Sequence, residues 1–507
     1  MHSRKHSTTS ISSIETPSES EFASSPLLPP PAPPAPHDRY QDYYDAYASH
    51  FMEFLNESPT TYHVITHFKS LLENNGFTFI PQTETVDDLP PGYYFTSRDD
   101  QCLVAFIVGG KWKPENGSCF VGCHVDALTV KLNPRGSLSG TTEGYETLGV
   151  APYSGSLNKL WLNRDLGLAG SILVRQSDGK IVRKLISSFP HPIGTIPSLA
   201  PHFGEVDQYN KQTKMVPVMG YLSEEEEKEP ASEEEKNSKF YGRHSLSLLR
   251  YICKLADVPI SSVVDIDLQL DDVQPAQRGG LSNEFIFSPS LDDRLCSYSA
   301  IYGLIEFSQK FYQKLDISTY EGLAGVYLAN NEEIGSATRT GAGGGLLIDT
   351  FKSIVSSRSH TVTESLAQLT TNTVIISSDV THALNPNFQS VYLKNHAPFP
   401  NTGPCIKLDS NFHVLSDSPS YVFLQQIMTH LPGIKLQQFH IRNDSRSGGT
   451  IGPIMSNGCR GINGARIIVD VGLPILSMHS IRGMCGYKDV GMGCRFFKAV
   501  FEFWQDY

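Results

Sequence analysis

Apolar positions recur with helical spacing from about Arg39 through "YYDAYASHFMEFLNESPTTYHVITHFKSLLENNGF". The pattern predicts two amphipathic helices, broken at Ser58-Pro59 because a residue before proline avoids the helical region, the second ending at Gly76. Short strand-like runs follow, "GYYFT" (92–96) and "CLVAFIVGG" (102–110), and then the run leading into "VGCHVDALTV" (121–130). From about 130 to 285 the texture changes. Short apolar runs such as "IVRKLI" and "MVPVMG" alternate with turns, which predicts an antiparallel, β-rich insert. After 286 the pattern becomes strand–helix alternation. There "GLAGVYLANNEEIGS", "TVIISSDVTHAL" and "ARIIVDVGLPILSMHSI" each read as a buried strand running into a polar loop. In α/β sheets, binding sites collect at the carboxyl ends of such strands. No internal repeat is visible.

Composition narrows the function classes. The 507 residues, 39% of them hydrophobic, can bury one large core or several smaller ones. The net charge of -12 argues against a nucleic-acid surface, which needs a basic stripe. No apolar run reaches the roughly 18 residues of a transmembrane helix, and the N-terminus lacks the apolar stretch of a secretory signal. Residues 1–37, rich in Ser and Pro, read as a disordered tail or propeptide. The acidic run 222–239 reads as a solvated loop. Nine cysteines without a CxxC pair suit reduced thiols in the cytosol, Cys123 among them as a structural thiol.

The chemistry lies in the polar residues next to the apolar strands. They are His124 and Asp126, Asp292 and Asp293, Glu332 and Glu333, Asp379 and His382, and His479. Singly, each has a structural reading: chance, a helix N-terminus for Glu-Glu, a cap for Asp379. Together, two histidines and three acids suit a two-metal centre with oxygen and imidazole ligands, in which one carboxylate bridges both ions. Glu-Glu would then supply one ligand and one free carboxylate to take a proton from water. Asp126 would accept from the far nitrogen of His124 and so fix its tautomer.

On these residues, and on the blocks "GCHVDALTVKLNP", "WLNRDLGLAG", "IPSLAPHFG", "SPSLDDRLCS", "NNEEIGS", "SSDVTHALNPNF", "SRSGGTIGP" and "LSMHSIRG", the chain resembles the dizinc aminopeptidases of the aspartyl aminopeptidase family, over roughly residues 45–507. The resemblance implies two Zn2+ per subunit. His124, Asp292 and Asp379 would bind one and Asp292, Glu333 and His479 the other, with Glu332 as general base and Asp126 orienting His124. It also implies that His202 of "SLAPHFG" reaches a neighbouring subunit's active site. The implied fold is α/β, a mixed β-sheet flanked by helices in a zinc exopeptidase-type catalytic domain. That domain is built from residues 38–130 and 286–507 and interrupted by a β-rich dimerisation domain at 131–285. Dimers would assemble into a tetrahedral dodecamer, and the substrates would be peptides with a free N-terminus. Acid-preferring members carry a lysine before Gly-Pro, where this chain has Thr402, and a Glu after "HSIR", where it has Gly483. Both differences resemble the vacuolar branch, so neutral N-terminal residues such as Leu are the expected substrates. Acidic preference is the alternative, with Lys394 or Lys407 as its partner, and an inactive scaffold or cargo protein is a third reading. The vacuolar branch is delivered from the cytosol without a signal peptide by a selective-autophagy receptor. Vacuolar residence is therefore expected, with the cytoplasm as the alternative because residues 1–37 lack a helical apolar stripe.

Overall fold

The computed structural model describes residues 40–84, 88–132, 140–204, 209–221, 229–456 and 464–507. The predicted N-terminal helices span Gln41–Glu57 and Thr61–Asn74, with the break at Ser58-Pro59 between them and Gly76 at φ +80° just beyond. Their apolar faces meet at Phe54 and Phe68, whose ring centroids lie 5.1 Å apart. The predicted tail at 1–37 lies outside the described residues.

A nine-stranded sheet draws its strands from residues 78–124 and 323–472. Its strands are β1 Thr78–Phe79, β2 Gly92–Arg98, β3 Cys102–Val108, β4 Cys119–His124, β5 Leu323–Ala329, β6 Val374–Ser378, β7 Cys405–Leu408, β8 Gln437–His440 and β9 Ile467–Gly472. Their spatial order is β1-β2-β3-β5-β4-β6-β9-β7-β8. The four middle strands β5, β4, β6 and β9 run parallel. Every residue of β3, β4, β5 and β6 is buried, which is why they read as continuous apolar runs rather than alternating ones. Phe120 of β4 meets Phe351 of helix Leu346–Ser356, in a cluster that also holds Leu369, Ile451 and Met455. Helices Leu291–Gln313 and Tyr487–Phe503 pack on one another. Gly303 permits this, since a Cβ there would lie 2.9 Å from the Cβ of Phe497.

Between β4 and β5 the chain forms a five-stranded antiparallel sheet, ordered Ile181–Ser187, Leu166–Arg175, Val263–Asp272, Thr129–Leu132, Val150–Tyr153. A three-stranded sheet accompanies it, ordered Val218–Tyr221, Tyr145–Thr147, Gly140–Thr142. Trp161, Leu168, Ile172 and Leu268 form their core with helix Leu246–Ala256, an element that the alternating reading of this region did not predict. Its stripe Leu248, Leu249, Ile252 and Ala256 is buried, and Ser245 caps it. The acidic run differs from the predicted loop in its second half. Ser232 caps a helical turn, Glu233–Lys236, and Glu235 pairs with Arg250 at 2.7 Å; residues 222–228 lie outside the described residues.

A further five-stranded sheet joins Gln277–Gly279, Phe285–Ser288, Gly483–Gly486, Pro474–Leu476 and Thr381–His382. Among the described residues no helix is long and apolar enough to cross a membrane. Eight cysteines are free thiols, Cys123 buried among them, and Cys459 lies outside the described residues.

Candidate metal centre

The parallel strands deliver the polar residues to one edge of the sheet. His124 is the last residue of β4 and pairs across the ladder with Ala329, the last of β5. After β5 the chain turns at Asn331, whose backbone is left-handed at φ 59°, and presents Glu332 and Glu333. Asp379 directly follows β6, and Asp292 stands at the start of helix Leu291–Gln313. His479 follows the strand Pro474–Leu476 with φ 62°.

The ring of His124 is oriented by the carbonyl of Asp126, 3.0 Å from Nδ1. A carbonyl only accepts, so Nδ1 carries the hydrogen and Nε2 turns a lone pair toward carboxylates. Those lie at 3.3 Å (Asp292 Oδ1) and 3.6 Å (Asp379 Oδ1). Nε2 of His479 stands 3.5 Å from Asp292 Oδ2 and 3.8 Å from Glu333 Oε2. These separations are long for hydrogen bonds. They match the roughly 3.3 Å between neighbouring ligands of a tetrahedral ion whose bonds are about 2.0–2.1 Å. Asp292 offers one oxygen to each histidine, as a bridging carboxylate must. The other oxygen of Glu333, Oε1, is buried and finds no hydrogen-bond donor among the described residues. Lone pairs facing lone pairs, with a buried orphan oxygen beside them, fit a pair of divalent cations.

Electrostatics point the same way. Burial, reinforced by neighbouring acids, pushes Glu332 up to about 7 and Glu333 up to about 9, and burial also raises Asp292. Burial works against the ionised form of Asp379 as well, but Lys407, 3.3 Å away, and His124 hold its carboxyl below the usual range. Such a cluster cannot ionise together in the absence of positive charge, and a dication would supply it.

Two placements differ from the sequence reading. The carboxylate of Asp126 stands farther from His124 Nδ1 (3.4 Å) than its own backbone carbonyl does. It also accepts the backbone N–H of Glu332 at 3.0 Å and of Glu333 at 3.2 Å, so it holds the glutamate turn as well as facing the imidazole. Asp293 comes within ligand reach of His124 and Asp379, yet both its oxygens accept backbone N–H groups, of His124 (3.3 Å) and Val380 (3.1 Å). It ties β4 to the loop after β6. Behind it Arg294, fully buried, donates to the carbonyls of Ser58 and Pro59.

A cavity of about 310 Å³ opens over the cluster, with Asp292, Glu332, Glu333, Asp379 and His479 in its wall. Val380, Leu408, Val414, Phe439, Ile441 and Met478 supply apolar surface, and His382 and Lys407 also line it. His202 is exposed in the turn Pro201–Phe203 and is not among the residues lining its own chain's cavity. Nor is Thr402, whose hydroxyl donates to Pro400 O; Lys394 is exposed, and Gly483 borders a smaller recess behind Asp292. The sequence reading missed the placement of Lys407 against Asp379. Its signal was weak: one lysine in the short strand β7, between β9 and β8.

Gly472 closes β9 beside Asp379, where a Cβ would lie 1.8 Å from the Asp379 carbonyl oxygen. Gly472→Ala therefore displaces a candidate ligand. The expected result is a loss of about 1–3 kcal/mol in denaturant unfolding, together with weaker zinc binding in a metal titration. Unchanged zinc binding would show that Asp379 is not held through this contact.

Comparison with known proteins follows the same residues. The family model described as aminopeptidase I zinc metalloprotease (M18) matches residues 54–501. Vacuolar aminopeptidase 1 of Saccharomyces cerevisiae is 43% identical over 467 residues, covering 90% of this chain and 88% of that protein. An aspartyl aminopeptidase of Dictyostelium discoideum is 34% identical over 476 residues, covering 89% and 95%. The solved structure of the mApe1 dodecamer of Saccharomyces cerevisiae matches with a TM-score of 0.79 at 39% identity, over 92% of this chain and 98% of that one.

Proposed function

The chain belongs to the aminopeptidase I zinc metalloprotease (M18) family, and from that premise we propose that it removes neutral, apolar residues such as Leu from the free N-termini of peptides. His124, Asp292 and Asp379 would hold one Zn2+, and Asp292, Glu333 and His479 the second, with Asp292 shared. Bound zinc would supply Lewis acidity to the scissile carbonyl and lower the pKa of water. Glu332, on the cavity wall, takes the proton of the attacking water and returns it to the departing amine. The substrate's α-amino group pairs with a carboxylate of the cluster, which selects an exopeptidase. Asp126 keeps the Glu332–Glu333 turn in place.

The observation that carries the neutral preference is the apolar wall of Val380, Leu408, Val414, Phe439, Ile441 and Met478. The lysine on that wall, Lys407, already faces Asp379 at 3.3 Å, so an acidic side chain would have to compete for it. The likeness to an aspartyl aminopeptidase supports the second reading, acidic preference served by Lys407. Kinetics of the zinc-loaded enzyme on Leu-, Asp-, Glu- and Lys-anilides separate the two. Leu is expected to be fastest, with N-acetyl-Leu-anilide refused; faster Asp or Glu would transfer the preference to Lys407. No turnover of any of them would favour the scaffold reading.

Likeness to a dodecamer and to a vacuolar enzyme supports a homo-oligomer of dimers formed through the insert at 131–285. His202 would serve the neighbouring subunit's cavity, stabilising the oxyanion there. The same likeness supports vacuolar residence, reached from the cytosol through a selective-autophagy receptor, against the cytoplasmic alternative.

A further inference from the structure

We propose that Tyr153 is a positioning residue of the metal centre, reaching from the inserted sheet to hold Asp126 and, through it, the turn that carries Glu332 and Glu333. The inference rests on the aminopeptidase reading but assigns a role to a residue on the other side of the insert boundary.

Tyr153 ends the edge strand Val150–Tyr153, opposite Thr129 in the ladder. Its hydroxyl donates to Asp126 Oδ2 at 2.8 Å and accepts from Asn331 Nδ2, also at 2.8 Å. The direction of each bond is settled by its neighbours. Asn331 Oδ1 receives the hydroxyls of Thr338 (2.8 Å) and Thr340 (3.2 Å), so its amide nitrogen is the end that faces Tyr153. A phenol that accepts from Asn331 has its one hydrogen left for Asp126. The oxygen it serves is the one that accepts from Glu333 N, and the other oxygen of the same carboxylate accepts from Glu332 N. Asp126 is 3% exposed, so a lost donor is not replaced by bulk water. A hydrogen bond to a buried charge is among the stronger kinds.

Tyr153 is itself held by its backbone N–H, which donates to Ser156 Oγ at 3.1 Å. The turn bearing the general base is thus clamped from two sides: by Asn331 in its own loop, and by a phenol from the insert. Two segments separated by 178 positions in the chain meet at one carboxylate. The inserted sheet is part of the catalytic apparatus, and its displacement would be transmitted to Glu332 and Glu333.

The test is Tyr153→Phe in the full-length enzyme, which keeps the ring and removes only the hydroxyl. The expected result is a fall in kcat of about 10- to 100-fold and a comparable weakening of zinc in chelator competition, as is typical for partners behind metal ligands. KM should stay near the wild-type value. A double-mutant cycle with Asp126→Asn gives the mechanism. If Tyr153 acts through Asp126, adding Tyr153→Phe to Asp126→Asn costs little more in zinc affinity, and full additivity overturns the inference. Unchanged kcat and zinc competition in Tyr153→Phe overturn it as well. If that variant does not fold, Asn331→Ser, which withdraws the donor to the same hydroxyl, must weaken zinc in the same direction; unaltered zinc binding there counts against the clamp. Failure of the wild-type enzyme to cleave any aminoacyl anilide would instead sink the aminopeptidase reading, which chelator competition does not depend on.

Discussion

Glu332→Gln is expected to lower kcat roughly 10²- to 10⁴-fold, the span that a positioned proton acceptor contributes, while zinc stays bound. The substitution is close to isosteric. The backbone N–H that Asp126 grips is untouched, so the turn and its neighbour Glu333 keep their places. Only the ability to take a proton is lost. Elemental analysis of the purified variant beside steady-state kinetics provides the check. Wild-type turnover at full metal content would place the base elsewhere in the cavity, whereas loss of zinc along with activity would make Glu332 a ligand.

Removing zinc is expected to abolish turnover and to lower the melting temperature, with both restored when zinc is returned. Binding to the native state alone adds about 4 kcal/mol when free zinc is a thousand times its dissociation constant. The sign follows from the cluster. In the absence of the ions, burial pushes Glu332 to about 7 and Glu333 to about 9 and raises Asp292, so these buried carboxyls disfavour the charged form that a bound dication would stabilise. Asp292→Asn should respond differently, because the oxygens facing His124 and His479 belong to one side chain. On the proposed arrangement that side chain serves both ions, and added zinc should scarcely raise the melting temperature. A wild-type melting curve indifferent to chelator would contradict the whole arrangement.

Much of this was legible in the chain. Buried parallel strands leave continuous apolar runs, and an acid or histidine at the end of such a run stands out, which is how His124, Glu332, Glu333 and Asp379 drew notice. The break at Ser58-Pro59 was equally visible, since proline constrains the residue before it. Other features depend on tertiary contacts that have no linear signature. Whether Asp292 or its neighbour Asp293 faces the histidines is decided by which carboxylate the N–H groups of His124 and Val380 claim. Thr402, informative by resemblance, hydrogen-bonds to Pro400 away from the cavity, and Lys407 carries no mark of its partner Asp379. Helix Leu246–Ala256 escaped notice because its short apolar stripe is embedded in a region whose other runs alternate.

The clasp of Arg294 on the Ser58 and Pro59 carbonyls sets a limit on how far the chain can be trimmed from its start. Arg294 lies two residues from Asp292, and its guanidinium has no access to solvent. Asn56 adds a second tether, accepting from the backbone N–H of Ala276. A protease that stops short of the helix Gln41–Glu57 leaves these anchorages whole. One that cuts past Ser58 strands a buried cation next to the candidate metal ligands. Trimming from the N-terminus therefore has a margin of safety that ends at the first helix.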